Sequence, residues 1–451
     1  MTILFANPPW WIAVPDPKRP GFGNLRRGVR AGSRWPFTTP AQFHPDLFKW
    51  GQYLPFPFFM ASAAAWVQRE FLPSATVVLR DSIARGESYD SFWLFIRQLH
   101  PDYVIIETGA AALNHDLDIC RDMRRLLPQV KIALAGPVAG TAHQDKPDAP
   151  VDAFLQGEYE KPAAAFIRGA VGLLAYDLLT REEMETLPFP EMDDSAALHY
   201  WDACPTGQQP PQLQLLTSRG CPYKCSFCAW PATMTGYDPT GDRQRAVRFH
   251  PAAWVKSYIQ EMLARYPFRT IYFDDDTFNL NDAHVLEICE VMREIGLPWF
   301  AMCRADTSKP ETLRMMKESG CKGVKIGCES GSQRVVTEIV NKRLNLFHVE
   351  HEDLPLLRDL GLSVHTTWTT GLPGETHAEA QETLTMIARL YEKGLHSTHQ
   401  LSGTAEIAGT PLHTLRTCGH ALKHYPGAKL SPEYRAQADG ELKAENFRSN
   451  Q

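Results

Sequence analysis

The sequence shows no excess of basic residues and no long apolar run. Its 451 residues include 46 Lys and Arg against 52 Asp and Glu, a formal net charge of -6. A general nucleic-acid binder normally presents a basic face, so this balance argues against nucleic acid as a partner. The longest apolar stretch, from about Ala163 to Leu179, contains Arg168 and Asp177. It is too short and too interrupted to span a bilayer, so no membrane span is predicted.

A regular disulfide framework is also missing, which argues against a small secreted domain. Most of the 10 cysteines are scattered, as expected for reduced thiols: Cys120, Cys204, Cys289, Cys303, Cys321, Cys328 and Cys418. The opening run from Met1 to Phe5 lacks the charged start and cleavage site of a signal peptide and is interpreted as a first strand. The sequence therefore predicts a cytoplasmic protein, and its length predicts two domains plus an extension.

Three cysteines do form a pattern. Cys221, Cys225 and Cys228 have the spacing C-x3-C-x2-C. A [4Fe-4S] cluster is normally held by four cysteines, so three neighbouring thiolates can hold three irons and leave the fourth open to a small molecule. The alternatives are a zinc knuckle or three unrelated core thiols. Zinc sites need four ligands, usually in pairs, and no second pair follows at a suitable distance, so the spacing favours a cluster.

The first third of the chain alternates short apolar runs with helical patterns, which predicts a parallel sheet covered by helices. The predicted strands are Ile3–Ala6, Thr76–Leu79, Tyr103–Ile106, Ile132–Ala135 and Val151–Leu155. Ligands bind beyond the carboxyl ends of such strands, and here those ends carry Thr108-Gly109, Gly136 and Gly157. Turn glycines are common after strands, so this feature alone leaves ligand binding and simple turn formation equally open.

A second series of strands and helices begins near Gln212. Its predicted strands are Leu213–Thr217, Thr270–Phe273, Trp299–Cys303, Gly323–Gly327, Ser363–Thr370 and His396–Ser402. The cysteine motif follows the first of them, at the carboxyl end where barrel-type sites are built. The predicted organisation is a first domain over residues 1–166, an ordered linker over 167–211, a barrel over 212–402 and an extension over 403–451.

Polar residues also follow later strands of this second series. Asp275 and Asp276 come after the second strand, Arg304 after the third and Glu329 after the fourth. These residue types would suit a zwitterionic amino acid that carries a ribose as the ligand. Its ammonium and hydroxyl groups need carboxylates, and its carboxylate needs a cation. Two structural alternatives stand beside this interpretation. The aspartates could cap the following helix, and Arg304 could form an ion pair inside the barrel mouth.

Taken together, four motifs resemble those of the radical S-adenosylmethionine (SAM) superfamily, and specifically its cobalamin-dependent branch: S-R-G-C-P-x3-C-x2-C, F-x-D-D-x-F, E-S-G-S and G-L-P-G-E-T. The resemblance extends from Asn7-Pro8-Pro9 to Gly409-Thr410-Pro411-Leu412. It implies an α/β protein: a doubly wound (Rossmann/flavodoxin-like) B12-binding-type domain, then a partial (β/α)6 barrel and a short C-terminal extension.

The resemblance also implies cofactors and residue roles. The three motif cysteines would hold a [4Fe-4S] cluster whose electron cleaves SAM to a 5'-deoxyadenosyl radical. The residues implied in SAM binding are Phe227, against the adenine, with Asp275, Asp276, Arg304 and Glu329. Those implied in cobalamin binding are Thr108, Gly109, Gly136 and Gly157. The first domain has no D-x-H-x-x-G motif, so cobalamin would be base-off without a histidine on cobalt.

The implied function is transfer of a methyl group from methylcobalamin to an unactivated carbon of a small-molecule substrate, with an electron donor such as flavodoxin or ferredoxin. The alternative is a rearrangement, cyclisation or bond formation without methylation, with cobalamin in another role or absent. A cobalamin-sensing regulator is disfavoured by the intact cysteines, and a tRNA methylthiolating enzyme by the missing N-terminal cysteine trio and basic tail. The aromatic segment from Trp10 to Trp50 is interpreted as a lid or substrate contact, or as packing against the second domain.

Overall fold

The computed structural model describes residues 1–15, 24–29, 37–38, 53–404 and 407–418. Most of the segment from Trp10 to Trp50, and residues 419–451 of the predicted extension, lie outside these ranges. Within them the chain forms two parallel six-stranded sheets together with three smaller sheets. The α/β class predicted from the sequence is therefore confirmed.

The first half of the chain contributes strands β1 to β10 and helices α1 to α6. The strands are β1 Thr2–Asn7, β2 Trp11–Pro15, β3 Asn24–Val29, β4 Phe37–Thr38, β5 Tyr53–Leu54, β6 Thr76–Asp81, β7 Tyr103–Glu107, β8 Lys131–Ala135, β9 Ala153–Leu155 and β10 Gly172–Leu174. The helices are α1 Phe58–Phe71, α2 Tyr89–Leu99, α3 Leu113–Leu126, α4 Ala139–Asp145, α5 Glu160–Ile167 and α6 Arg181–Glu185.

The first sheet has the strand order β10-β9-β8-β7-β1-β6, with every neighbouring pair parallel. Its central strands are buried on both faces, which explains their nearly continuous apolar sequences. The chain adds β6 on one side of β1 and β7 on the other, so the direction of strand addition reverses between β1 and β7. A ligand crevice is therefore expected where Asn7 and Glu107 end these two strands. The sequence predicted five strands, but the sheet has a sixth, β10, inside the segment interpreted as a linker.

The second half contributes strands β11 to β19 and helices α7 to α13. The strands are β11 Trp201–Asp202, β12 Gln212–Leu215, β13 Ser218–Arg219, β14 Arg248–Phe249, β15 Thr270–Phe273, β16 Trp299–Cys303, β17 Cys321–Glu329, β18 Ser363–Thr370 and β19 Thr398–Gly403. The helices are α7 Ala252–Arg265, α8 Asp282–Ile295, α9 Pro310–Glu318, α10 Leu346–His348, α11 Leu354–Asp359, α12 His377–Glu392 and α13 Pro411–Cys418.

The second sheet keeps the strands in chain order, β12-β15-β16-β17-β18-β19, and all neighbours are parallel. Helices separate successive strands, so the carboxyl ends of all six lie on one side of the sheet. The segment between β17 and α10 contains a π-helix, Val335–Ile339. The last strand begins at Thr398 rather than at the predicted His396.

One continuous apolar core joins the two sheets, with members ranging from Phe5 in β1 to Trp368 in β18. Phe59 of α1 contacts Trp230, which follows the cysteine motif, at 5.5 Å between ring centroids. The segment between the sheets is ordered as well, since Trp254 of α7 donates its indole N–H to the Leu187 carbonyl at 2.7 Å. None of the helices in the ranges given above combines the length and apolar character needed to cross a bilayer.

Candidate functional site

The cysteine motif occupies the loop that follows the short strand β13. Gly220 begins the loop with φ of +97°, and a Cβ atom there would lie 2.4 Å from the Ala246 carbonyl oxygen. Only glycine fits this close approach without displacing backbone. The loop then passes Cys221, Cys225 and Cys228 and ends in a π-helix, Trp230–Met234. It thus lies beyond the carboxyl end of β12, as predicted.

Contacts from distant parts of the chain hold the middle of this loop. Ser226 donates its backbone N–H to the Val340 carbonyl at 2.9 Å, and its own carbonyl accepts from the Leu412 N–H at 2.9 Å. Cys225 and Phe227 pack against a small apolar cluster formed by Val335, Ile339, Val340 and Leu372. The loop conformation therefore does not depend on a bound cofactor alone.

None of the three motif cysteines forms a disulfide bond within the described ranges. Burial raises the pKa of Cys221 to about 11 and also raises the pKa of Cys225. Both thiols are protonated near neutral pH without metal, so iron binding must release their protons. Three sulfur donors on one loop suit an iron–sulfur cluster, since such clusters are held by cysteine thiolates.

The two predicted aspartates have different surroundings. Asp275 is fully buried, and its Oδ1 accepts hydrogen bonds from the Thr217 N–H and hydroxyl, both at 3.0 Å, and from the Ser218 hydroxyl at 2.5 Å. It thus supports the backbone that leads into the cysteine loop. Asp276 is partly exposed and lines the crevice beside Ser218. Of the two, only Asp276 is placed to contact a ligand directly.

Replacing Asp275 with asparagine should remove a pH-dependent loss of stability. Burial raises the pKa of Asp275 to about 6, above the value of about 3.9 for an unfolded chain. The stabilising contribution of this carboxyl group is therefore fully present below about pH 4 and is lost as the pH rises through about 6. The difference between the two pKa values corresponds to about 3 kcal/mol in the free energy of unfolding.

Urea unfolding of the metal-free chain at several pH values measures this effect. The free energy of unfolding of Asp275→Asn should rise relative to that of the wild type between about pH 4 and about pH 7. The exposed Asp242→Asn variant serves as the control. A constant difference between Asp275→Asn and the wild type across this range would contradict the assignment.

Arg304 forms the ion pair that was considered as its structural alternative. Its Nε and Nη2 atoms contact the Asp306 carboxylate at 2.5 and 2.9 Å, and Nη2 also donates to the Lys342 carbonyl at 2.8 Å. The guanidinium carbon lies 3.9 Å from the centroid of the Tyr223 ring in the cysteine loop. The third nitrogen, Nη1, is buried with no hydrogen-bond partner within the described ranges. A free donor beside the loop suits a carboxylate ligand.

Glu329 ends β17 next to a lysine that the sequence did not single out. Its Oε1 accepts from Lys342 Nζ at 2.7 Å, and the Thr369 hydroxyl contacts Oε2 at 3.5 Å. Glu329 has φ of +72°, an uncommon conformation for a residue other than glycine. Such a conformation persists only where the surroundings enforce it, and it often occurs at functional sites. Lys342 has no strand-end position, so the sequence pattern could not indicate it.

A crevice with about 530 Å³ of empty space lies between α1, the end of β12 and the cysteine loop. Its walls combine aromatic rings with two carboxylates and are formed mainly by Phe56, Phe58, Phe59, Trp230, Asp274 and Asp276. Both sheets contribute to the crevice, because α1 belongs to the first and the aspartates follow β15 of the second. It can therefore hold a molecule that contacts both halves of the chain.

The structure brings some of the first-domain candidates together. A Cβ atom on Gly136, which has φ of +130°, would lie 2.0 Å from the Thr108 carbonyl oxygen. The Gly109 carbonyl accepts the N–H groups of Ala112 and Leu113, both at 2.9 Å, at the start of α3. Thr108, Gly109 and Gly136 thus form one surface at the ends of β7 and β8. Each glycine also has a local role that needs no ligand.

Gly157 follows β9, the strand that pairs with β8. It has φ of +75°, and a Cβ atom there would lie 2.6 Å from the Tyr176 ring. The neighbouring Tyr159 donates its hydroxyl to Glu107 Oε1 at 3.1 Å, and the Asn7 side-chain amide contacts Glu107 Oε2 at 3.5 Å. The strand-order reversal is therefore spanned by a buried polar network that sequence reasoning did not identify.

Residues 215–387 match the family model of the radical SAM superfamily. An uncharacterized methyltransferase of Pyrococcus horikoshii is 24% identical over 351 residues, which cover 74% of this chain and 73% of that protein. The cytidylyl-2-hydroxyethylphosphonate methyltransferase of Streptomyces wedmorensis is 31% identical over 202 residues, 42% of this chain and 35% of that one.

A solved structure has a similar fold. It is the radical SAM methyltransferase TsrM from Kitasatospora setae with cobalamin and a [4Fe-4S] cluster bound, at a TM-score of 0.63 and 14% identity. The superposition covers 93% of this chain and 75% of TsrM. At this identity the likeness concerns the fold. The segment that matches the radical SAM family model contains the cysteine motif and the polar strand ends, and 74% of the chain is similar to a protein named as a methyltransferase.

Proposed function

We propose that this enzyme methylates an unactivated carbon of a small-molecule substrate and uses a [4Fe-4S] cluster, SAM and cobalamin. The cysteine loop carries the proposal: three cysteines outside any disulfide bond lie beyond the carboxyl end of β12, beside Arg304, whose Nη1 atom has no hydrogen-bond partner among the described residues. The second sheet then represents a partial (β/α)6 barrel over residues 212–402. The first sheet represents a cobalamin-binding-type domain over residues 1–166, extended by β10.

The chain's own residues would position these groups. Cys221, Cys225 and Cys228 would ligate the cluster, and Phe227 would contact the adenine of SAM. Arg304 Nη1 would bind the SAM carboxylate, because the other two nitrogens of the guanidinium already contact Asp306 and Lys342. When bound, the cluster and SAM supply a carbon-centred radical, and cobalamin supplies a methyl group.

Glu329 and Asp276 would contact the ammonium and ribose hydroxyl groups of SAM. The Lys342 ammonium holds Glu329 in place at 2.7 Å, so the carboxylate is oriented before any ligand arrives. The aromatic walls of the crevice, including Phe59 and Trp230, would exclude water from the reacting carbon. Exclusion of water protects reactive species from side reactions.

Product analysis tests the proposal. Anaerobically reconstituted protein with SAM, cobalamin and a reductant should form both 5'-deoxyadenosine and S-adenosylhomocysteine. The first product alone would instead support a non-methylating radical reaction on the same scaffold. If neither product formed, the assignment would be contradicted. Replacement of the chemical reductant by flavodoxin or ferredoxin then tests whether such a protein is the electron donor.

For cobalamin we predict a base-off spectrum that no histidine of the first domain changes. His115 lies in the first turn of α3, which follows β7, and its ring stacks on Trp10 at 4.7 Å and contacts the Tyr89 hydroxyl at 2.9 Å. Single replacements of His100, His115 and His143 by alanine should therefore leave the spectrum unchanged. The same result is expected for a fourth histidine at position 44, outside the described ranges. A spectral change in any of these variants would indicate that a histidine binds cobalt and would contradict the prediction.

A further inference from the structure

Two arginines next to the cysteine loop are buried against two glutamates of the first domain. Arg219 immediately precedes Gly220, and its Nη2 contacts Glu160 Oε1 at 2.7 Å, while Nη1 lies 3.4 Å from Glu158 Oε2. Arg248, on the paired strand β14, contacts both oxygens of Glu158 at 2.5 and 3.0 Å. The charges balance, with two positive and two negative groups.

These four residues are almost completely removed from solvent. The side chains of Arg219 and Glu160 are 0% exposed, that of Glu158 is 1% exposed and that of Arg248 is 10% exposed. Taking charges out of water is costly, and apolar replacements of buried ion pairs are often neutral or stabilising. Stability alone is therefore a poor explanation for this network. The rigid fork of arginine does, however, fix the orientation of the groups that it joins.

The glutamates belong to a single turn at the carboxyl end of the first sheet. Glu158 follows β9, Glu160 begins α5, and Tyr159 between them donates its hydroxyl to Glu107 at 3.1 Å. The turn thus contacts the end of β7 through Tyr159 and the entry of the cysteine loop through its two carboxylates. Arg219 also lies 5.2 Å from the centroid of the Phe59 ring, which lines the crevice between the sheets.

We propose that Arg219 is a positioning residue for the iron–sulfur cluster, held in orientation by Glu158 and Glu160 of the first domain. Its backbone leads into Gly220 and Cys221, so the orientation of this strand sets the direction in which the first thiol points. The first domain then has a role in the cluster site in addition to cobalamin binding. This inference rests on the proposed function, because it presupposes a cluster on the three cysteines.

The double variant Arg219→Met with Glu160→Gln tests the inference, because it removes one charge of each sign and leaves the contact between Glu158 and Arg248. Partners that orient metal ligands typically contribute about 10- to 100-fold to metal affinity. The reconstituted variant should therefore lose iron to a chelator about 10-fold faster than the wild type. Its reduced cluster should also give an altered electron paramagnetic resonance spectrum.

The matched control is Arg85→Met with Asp193→Asn. These residues form an ion pair at 2.5 Å between the first domain and the segment that follows it, in which the Asp193 side chain is buried and that of Arg85 is 25% exposed. The pair does not contact the cysteine loop, so this variant should keep the wild-type rate of iron loss and the wild-type spectrum. If it loses iron as fast as the Arg219 variant, the effect is general destabilisation and the inference is wrong. An Arg219 variant that matches the wild type would overturn it as well.

The Arg219→Lys variant keeps the positive charge and removes the planar guanidinium group, so it remains informative if the double variant does not fold. Faster iron loss with an unchanged circular dichroism spectrum would support orientation by the guanidinium. An unchanged rate would contradict it. Failure of the wild-type chain to assemble a four-iron cluster would instead contradict the proposed function, so the two failures can be distinguished.

Discussion

Replacing Cys221, Cys225 and Cys228 together with alanine should abolish iron binding and leave the fold nearly unchanged. Without thiolates the loop has no ligands for a [4Fe-4S] cluster, which requires them. The loop itself is held by the hydrogen bonds of Ser226 to Val340 and Leu412 at 2.9 Å, and these do not involve the cysteine side chains. Loss of the cluster should therefore not unfold the surrounding sheet and helices.

Iron analysis, the visible absorption of the cluster and thermal unfolding followed by circular dichroism measure the two effects separately. Cys204→Ala is a suitable control, because this free cysteine is outside the motif and only partly exposed. It should bind as much iron as the wild type. If the triple variant retained a full four-iron cluster, the central assignment of this site would be wrong.

Glu329→Ala and Arg304→Ala should weaken SAM binding much more than cluster assembly. Each loses a hydrogen bond to a charged group, which contributes roughly 1.5 to 3 kcal/mol, or about 10- to 150-fold in affinity. Removing the Glu329 carboxylate also leaves the Lys342 ammonium buried without its partner. Glu329→Gln is therefore the more conservative variant, and it should show the same direction of change.

Equilibrium dialysis of SAM with the reconstituted protein measures the affinity, and iron analysis measures the cluster. Glu350→Gln provides the control, because Glu350 also pairs with basic residues, Arg389 at 2.6 Å and Lys393 at 2.7 Å, but lies away from the cysteine loop. Unchanged SAM affinity in both the Glu329 and Arg304 variants would show that these residues have a structural role and do not bind SAM. A loss of iron equal to the loss of SAM binding would do the same.

Several features of the site depend on patterns within a few residues and were predictable from the sequence. The cysteine spacing is local, so the candidate ligands could be named without a structure. Strands such as β15 and β16 were predicted with their observed bounds, because buried parallel strands have continuous apolar sequences. In contrast, β10 has only three residues, none of them fully buried, and its position depends on pairing with β9. These residues lie inside the longest apolar stretch of the sequence, but three residues are too few to show the alternation of a strand.

The assignment of roles to individual polar residues needed the tertiary structure. Asp275 and Asp276 are neighbours of the same type, and only the packing shows that the first supports Thr217 and Ser218 while the second lines the crevice. Whether Arg304 was free or paired was equally undetermined until its contacts with Asp306 were known.

From the sequence alone one could determine the class of the two sheets, the cysteine loop and the family resemblance, because these depend on periodicity and spacing along the chain. Only the tertiary structure revealed the lysine that holds Glu329 and the contact of Arg219 with Glu160, which is 59 residues away. A buried charge takes its partner from whichever segment the fold places beside it. Such partners leave no periodic pattern in the sequence, since the distance between them along the chain is set by the topology of the intervening sheet and helices.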